Sequence, residues 1–275
     1  MTEADAIGAV DRPATRSTLL TDLRELGVET GMTLMVHSSL SSLGFVVGGA
    51  QAVVEALLDA VGPDGTLMMP THSTGNSEPA DWSRPPVPEA WWPTIRDEMP
   101  AYDPDLTPTR EMGAIVECFR RGPGVRRSAH PAMSAAAVGP NADTLLDDHS
   151  FEHGLGGERT PQARLYDLDG HVLLLGVTHA NNTSLHVAEY RSPPPGGYEI
   201  ERYSAAAMVD GERQWVTYET FPDDDEDFAE LGEAFAETGL EQRGTVGAGV
   251  GRLMRSRDIV DFGATWMTEH RHQGR

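Results

Sequence analysis

Apolar residues recur along this chain with a helical period at first and then in short continuous runs. Leu19, Leu23 and Leu26 share one helical face between Thr15 and Leu26, and Gly27 supplies a stop. Met32 to Val36 is a short apolar run that reads as a strand, leading through His37-Ser38-Ser39-Leu40 into a glycine-containing loop that ends at Gly49. From Ala50 to Val61, the inward set Val53, Val54, Leu57 and Leu58 predicts a second helix. The turn Gly62-Pro63-Asp64-Gly65 precedes a second strand, Thr66 to Met69, broken by Pro70. Strand, helix, strand with short connections predicts a parallel unit.

Thr71 to Pro108 is rich in Pro, Trp and polar residues and has little period, which in a compact domain favours a functional loop. A helix is expected from Glu111 to Arg121, a strand from Ser134 to Val138, and a helix from Leu145 to His153 before a glycine-rich turn. Val172 to Val177 reads as a buried strand that ends in a polar loop, where Asn182 or Thr183 can cap the next helix. Tyr203 to Val209 and Gln214 to Tyr218 flank Asp210-Gly211, a strong hairpin dipeptide. Phe228 to Thr238 reads as a helix, Arg243 to Arg252 as a glycine-rich segment, and Ile259 to Met267 as a closing element. The pattern predicts an α/β fold: a largely parallel central sheet flanked by helices, with an antiparallel extension. Neither repeats nor a clear linker interrupt residues 1–275, so they read as a single domain or two coupled lobes.

The 39% hydrophobic content suffices for a sizeable core. No apolar run approaches a membrane span, and the acidic N-terminus lacks a signal pattern, so a cytoplasmic protein is expected. The lone Cys118 shares a helix face with Ile115 and Phe119 and reads as a core residue. It excludes an internal disulfide and a multi-cysteine metal site. The formal charge of −22 comes from 43 acidic and 21 basic residues, and every basic residue is arginine. Such a surface repels nucleic acid and anionic lipid and attracts polycations. A merely solvated acidic surface explains most of that charge equally well, although Asp223-Asp224-Asp225-Glu226-Asp227 is denser than solubility requires.

The richest chemistry lies in His171 to Glu189. His186 and Glu189 are three apart on one helical face, near the end of a buried strand, where open α/β sheets place their sites. A neutral imidazole can accept a proton near neutral pH, and a carboxylate beside it favours the charged form. A plain helix-face histidine with a solvated glutamate is the competing reading. His179, His186 and Glu189 also resemble a zinc donor set, but the spacing is not HExxH, and no metal is expected. The His37 to Gly49 loop leads into a helix start suited to a pyrophosphate, though it is neither a Walker A nor a GxGxxG sequence. Arg126-Arg127-Ser128-Ala129-His130-Pro131 is a rare basic patch, suited to a phosphate or simply a surface feature. Trp82, Trp91 and Trp92 either stack on a ligand or pin the long loop.

Five strings, MVHSSLSSLGFVVGG, TPTREMG, RRSAHPAMSAAAVG, RLYDLDGHVLLLGV and NNTSLHVAE, occur in an order that resembles the aminoglycoside 3-N-acetyltransferase family. The resemblance implies that family's own α/β fold, distinct from the GNAT fold, with acetyl-CoA as cosubstrate and no metal. It implies acetylation of the 3-amino group of a 2-deoxystreptamine aminoglycoside, antibiotic resistance, and a homodimer. Residue by residue, His186 takes the catalytic histidine position and His37 that of a second active-site histidine. Ser38, Ser39, Leu40, Gly44, Val46, Gly48 and Gly49 match coenzyme A contacts, as do Thr109, Met112, Gly113, Arg127 and Ser128. The acidic stretch after Trp215, including Glu219 and Asp223, matches the region that meets the aminoglycoside and supplies a carboxylate for the histidine. Glu189, Asp225 and Trp82 are further substrate-contact candidates. Thr160-Pro161 stands where the family often has Ser-Pro, and the Glu78 to Pro100 loop suggests a different substrate specificity. Direct attack by the amine in a ternary complex follows, with His186 as base and Thr71 or a backbone N–H of Ser38-Ser39 as oxyanion donor. The alternatives are a CoA-dependent acetyltransferase of another amine, a metal-dependent hydrolase, and a non-catalytic CoA- or polycation-binding protein.

Overall fold

The computed structural model describes residues 3–271 except 9, 84, 150, 152, 153 and 222. After a short helix α1 (Glu3–Gly8), helix α2 (Arg16–Leu26) begins where Thr15 and Thr18 form a reciprocal capping box and ends at Gly27 in the left-handed conformation. Strand β1 (Thr33–Ser38), helix α3 (Gly49–Val61) and strand β2 (Thr66–Pro70) form the expected parallel unit. Both strands are buried on both faces, which explains their continuous apolar runs. The long segment after β2 carries helix α4 (Trp92–Glu98). Helix α5 (Gly113–Phe119), strands β3 (Arg126–Arg127) and β4 (Ala135–Val138), and helices α6 (Ala142–Leu146) and α7 (Pro161–Asp167) follow. Thr160 caps α7 through its hydroxyl, so a role for that hydroxyl in helix initiation comes with the Thr-Pro pair. The helix expected from Leu145 to His153 is confined to α6, with Asp147 outside it; residues 150, 152 and 153 lie outside the described set.

Strand β5 (His171–Leu175) and helix α8 (Leu185–Arg191) come next, then the hairpin of β6 (Glu201–Val209) and β7 (Glu212–Thr220), with Asp210 and Gly211 both at positive φ in the turn. Helix α9 (Phe228–Ala236), strands β8 (Gln242–Val246) and β9 (Gly249–Arg255), and helix α10 (Ser256–His270) complete the chain. The main sheet has seven strands in the order β3-β4-β2-β1-β5-β9-β8. Its parallel part is the central trio β2-β1-β5, and antiparallel pairs extend it on both sides. One core, around Leu34, Val36, Leu57 and Phe119, lies between the sheet and α2, α3 and α5. A second, around Met35, Val172, Leu174, Leu231 and Ile259, lies under α6 to α10. The β6–β7 hairpin forms its own two-stranded sheet. It is tied to the long segment by Asn76, whose side-chain amide bonds both the N–H and the C=O of Ala206 at 2.9 and 2.8 Å. No described helix is long and apolar enough to cross a membrane.

Candidate active site

From β1 the chain crosses to β2 on one side, while β5 joins the other side of β1. The carboxyl ends of these strands therefore diverge at a topological switch point, where such sheets open a crevice. A cleft of about 240 Å³ lies there, lined by His37 and Ser38 from β1, Pro70 and His72 from the end of β2, and Val177 after β5. Met112, Asn181, Asn182, Thr183, His186, Asp225 and Phe228 complete much of its wall.

His186 reaches the cleft because β5 ends at Leu175 and the chain turns through a short 3-10 segment, His179–Asn181, before α8. The helix does not carry the expected cap: its N-cap is Ser184 without a side-chain bond, and Asn182 instead closes a turn just before it, accepting the Ser184 N–H at 3.2 Å. Gly156 packs against the His186 carbonyl so closely that a Cβ there would collide with it. One helical turn on, Glu189 Oε2 lies 2.9 Å from His186 Nδ1. Asp223 Oδ1 lies 3.8 Å from the same nitrogen, and the Phe228 ring packs on the imidazole with centroids 4.9 Å apart. Burial opposes a charge on His186, but the Glu189 hydrogen bond and the charges of Asp223, Glu189 and Asp225 outweigh it and raise its pKa. Burial foremost pushes Asp223 up to about 6, with His186 opposing and Glu189 and Asp225 reinforcing the rise.

Two other histidines of the lining are neutral. Burial, reinforced by nearby histidines, lowers His37 and His72 to about 3. Ser38 Oγ, His37 Nε2 and His72 Nε2 are buried without a hydrogen-bond partner among the described residues. The cleft thus brings a base backed by carboxylates together with uncharged polar groups from the ends of β1 and β2.

Other expected site residues are placed differently. Glu219 sits on the exposed side of the hairpin and pairs with Arg202 at 3.1 Å, so the carboxylate behind His186 is Glu189. Thr71 is fully buried outside the cleft lining, and its hydroxyl is held by Ser134 and Arg127, which removes it as an oxyanion donor. The Ser39 N–H bonds the Leu175 carbonyl at 3.0 Å and is likewise committed. Arg127 spends its guanidinium on Thr71, Ser73, Ser134, Pro104 and Thr107, so it staples loops together instead of presenting a phosphate ligand. Ser128 is buried, bonded to His149 and to the Ala135 N–H. Thr109 bonds Glu117 through both its N–H and its hydroxyl. Trp82 donates to Ser77 at 2.9 Å and pins the long loop, outside the cleft lining.

Among the expected coenzyme contacts, Ser38 and Met112 line the cleft. Leu40 lies in the 3-10 turn Leu40–Leu43, which Gly44 ends at positive φ. Val46 pairs with Ala14 in an isolated bridge, and Gly48 and Gly49, both at positive φ, start α3; Gly113, also at positive φ, starts α5. The zinc-like trio is not assembled, because His179 is turned to Glu241 at 2.6 Å. His186, Glu189 and Asp223 instead converge, with donor atoms within 4.8 Å of one another, but the cation touching this set is a guanidinium, Arg271 on Glu189 at 2.7 Å. Arg271, His72 and Phe228 carried no local motif, since their place in the site comes from long-range packing.

The sequence model of the aminoglycoside 3-N-acetyltransferase family matches residues 35–268. The chain belongs to this family of acyltransferases. The SPbeta prophage-derived aminoglycoside N(3')-acetyltransferase-like protein YokD of Bacillus subtilis (strain 168) is 44% identical over 255 residues, 92% of each chain. Aminoglycoside N(3)-acetyltransferase VII of Streptomyces paromomycinus is 38% identical over 283 residues, 98% of this chain and 96% of that one. The crystal structure of YokD has a TM-score of 0.95 at 41% identity, covering 99% of this chain and all (100%) of the other. A binary complex of AAC-IIIb with CoASH has a TM-score of 0.83 at 30% identity, covering 96% and 100%. AAC-VIa bound to sisomicin has a TM-score of 0.82 at 32% identity, again covering 96% and 100%. The fold is the one that the resemblance implied.

Proposed function

We propose that this protein transfers the acetyl group of acetyl-CoA to the 3-amino group of a 2-deoxystreptamine aminoglycoside, and so confers antibiotic resistance. The observation that carries the reading is the His186–Glu189 pair, whose imidazole lines the cleft. The CoASH complex of one solved relative and the sisomicin complex of another support the two substrates.

Acetyl-CoA, when bound, supplies a thioester carbonyl open to attack by an amine. The ends of β1 and β2 fit such a group, since Ser38, His37 and His72 hold buried polar atoms that lack partners among the described residues. An aminoglycoside amine is mostly ammonium at neutral pH, and Asp223 and Asp225 attract that cation. The same charges keep it protonated, so a base is required. Glu189 occupies His186 Nδ1, which leaves Nε2 to take the proton. Glu189 also orients the ring and favours the imidazolium that forms. Ser38, with a neutral His72, is the candidate donor to the charge that develops on the acyl oxygen. Attack is direct, in a ternary complex: the C–N bond forms, the C–S bond breaks, one ammonium proton is lost to solvent, and the proton taken by His186 passes to the departing CoA thiolate, so no step requires a metal.

The test is incubation with acetyl-CoA and a panel of aminoglycosides, reading thiol release, product mass and acetylation site. A 3-N-acetylated product supports the reading. Thiol release no faster than acetyl-CoA hydrolysis with every aminoglycoside would overturn it, and ping-pong kinetics would overturn the ternary complex.

A further inference from the structure

Behind His186, away from the cleft, one guanidinium joins three parts of the site. Arg271, just after α10, donates from Nη1 to Glu189 Oε1 at 2.7 Å. Its Nε donates to Asp227 Oδ2 at 2.6 Å and its Nη2 to the Asp224 carbonyl at 2.8 Å. The Asp224 N–H adds a bond to Glu189 Oε1 at 3.1 Å. The Arg271 side chain is 16% exposed and lies 5.8 Å from the ring of Phe228, which itself packs on His186. Glu189 therefore holds the base with one oxygen and the arginine with the other.

We propose that Arg271 is a positioning residue that locks the acidic loop Asp223–Asp227 to the His186–Glu189 pair and tunes the base by sharing the charge of Glu189. The inference rests on the acetyl-transfer reading and assigns that site a component remote in sequence. The planar fork bonds the Glu189 carboxylate, the Asp227 carboxylate and the Asp224 carbonyl from three separate nitrogens, whereas an ammonium would have to draw all three acceptors around one. A cation on Glu189 also weakens the pull of that carboxylate on the imidazole proton. The groups facing His186 are Glu189 on its own helix, Asp223 and Asp225 from the loop, and neutral His37 and His72 from the strand ends. The acids all favour the imidazolium, and Arg271 opposes the largest of them at the carboxylate itself.

Two substitutions separate geometry from charge. Arg271→Lys keeps the charge and loses the fork. It is expected to raise the aminoglycoside KM about 3–10-fold, to leave the acetyl-CoA KM within about 2-fold, and to keep the acid limb of kcat/KM in place. Arg271→Met removes the charge and is expected to move that limb, and the His186 pKa followed by imidazole NMR, upward by about 0.5–1 unit. Asp227→Asn, which spares the Glu189 contact, should raise the aminoglycoside KM without moving the limb, and Arg271→Gln carries the charge test, with the same upward shift, if Arg271→Met does not fold. Wild-type KM in both Arg271→Lys and Asp227→Asn would overturn the locking role. An unmoved His186 pKa in folded Arg271→Met would overturn the tuning role. The NMR titration needs no turnover, so it still decides the coupling if the wild-type protein acetylates no aminoglycoside.

Discussion

His186 Nδ1 and Glu189 Oε2 stand 2.9 Å apart within one turn of α8, both all but closed to solvent. This contact sets the direction of the pH response. The His186 pKa is raised above its ordinary 6.5, and a base acts only when neutral, so kcat/KM should fall as pH drops through a value above 6.5. Glu189→Gln removes a charge that stabilises the imidazolium. The acid limb should then move to lower pH, with turnover at the plateau reduced about 10–100-fold through loss of ring orientation. A pH–rate profile whose limb stays in place would remove Glu189 as the partner.

His186→Ala should cut turnover by about 10²–10⁴-fold and leave acetyl-CoA affinity near wild type, since that loss is the usual size of a general-base effect. Calorimetry of acetyl-CoA binding beside steady-state rates checks both halves. Normal turnover in the variant would strip His186 of its assigned role.

The displacement of Thr71 from the cleft makes a paired prediction. Thr71→Val disturbs the network with Ser134 and Arg127 and should cost about 1–2 kcal/mol of stability, with kcat close to wild type. Ser38→Ala removes an unpartnered hydroxyl at the cleft and should lower kcat about 10²-fold with little change in melting temperature. The opposite pattern, a slow Thr71→Val and a fast Ser38→Ala, would return the donor role to Thr71.

These pairings show why the architecture was easier to read than the site. The runs of β1, β2 and β5 and the stripe of α2 are local patterns imposed by burial, so they stand in the sequence as they stand in the fold. His186 and Glu189 share a helix face and were equally legible. Strands β8 and β9 were hidden because Gly244, Gly247, Gly249 and Gly251 mask any alternation; a side chain at Gly251 would strike Leu26 and Val246. Helix α7 is too short to show a period. Arg127 read as a phosphate ligand because composition records a charge and not its acceptors, which lie up to 56 residues away. Glu219 and Glu189 could be ranked only once the hairpin had turned Glu219 toward Arg202.

That ranking is open to measurement. Glu219→Gln removes half of an exposed ion pair and should change stability by less than about 1 kcal/mol and kcat hardly at all. Asp225→Asn in the cleft lining and Asp223→Asn beside His186 should raise the aminoglycoside KM, most strongly at low ionic strength where the field is least screened. Equal KM values for wild type and both aspartate variants in low salt would exclude these aspartates as the cation site.

Stability should fall on the acid side for reasons tied to the same cleft. His37 and His72 bind a proton at about 3 in the fold, against an ordinary 6.5, and His130 at about 4. Between those values and 6.5 the unfolded chain holds more protons than the folded one. Each such histidine therefore lowers unfolding free energy by at most about 1.4 kcal/mol for every pH unit of acidification. Asp223 opposes them: its carboxyl is raised from 3.8 to about 6, so in that window the folded state holds the extra proton and gains stability as pH falls. Three histidines outweigh one aspartate. Above 6.5 the sign for His186 reverses the trend, because its raised pKa contributes stability that is complete below 6.5 and lost as pH rises through the folded value. Denaturant melts across this range should show maximal stability near 6.5 and a loss toward pH 4. His72→Gln, which deletes one of these titrations, should flatten the acid slope; an unchanged slope would mean that His72 is protonated in the folded protein as readily as in the unfolded chain.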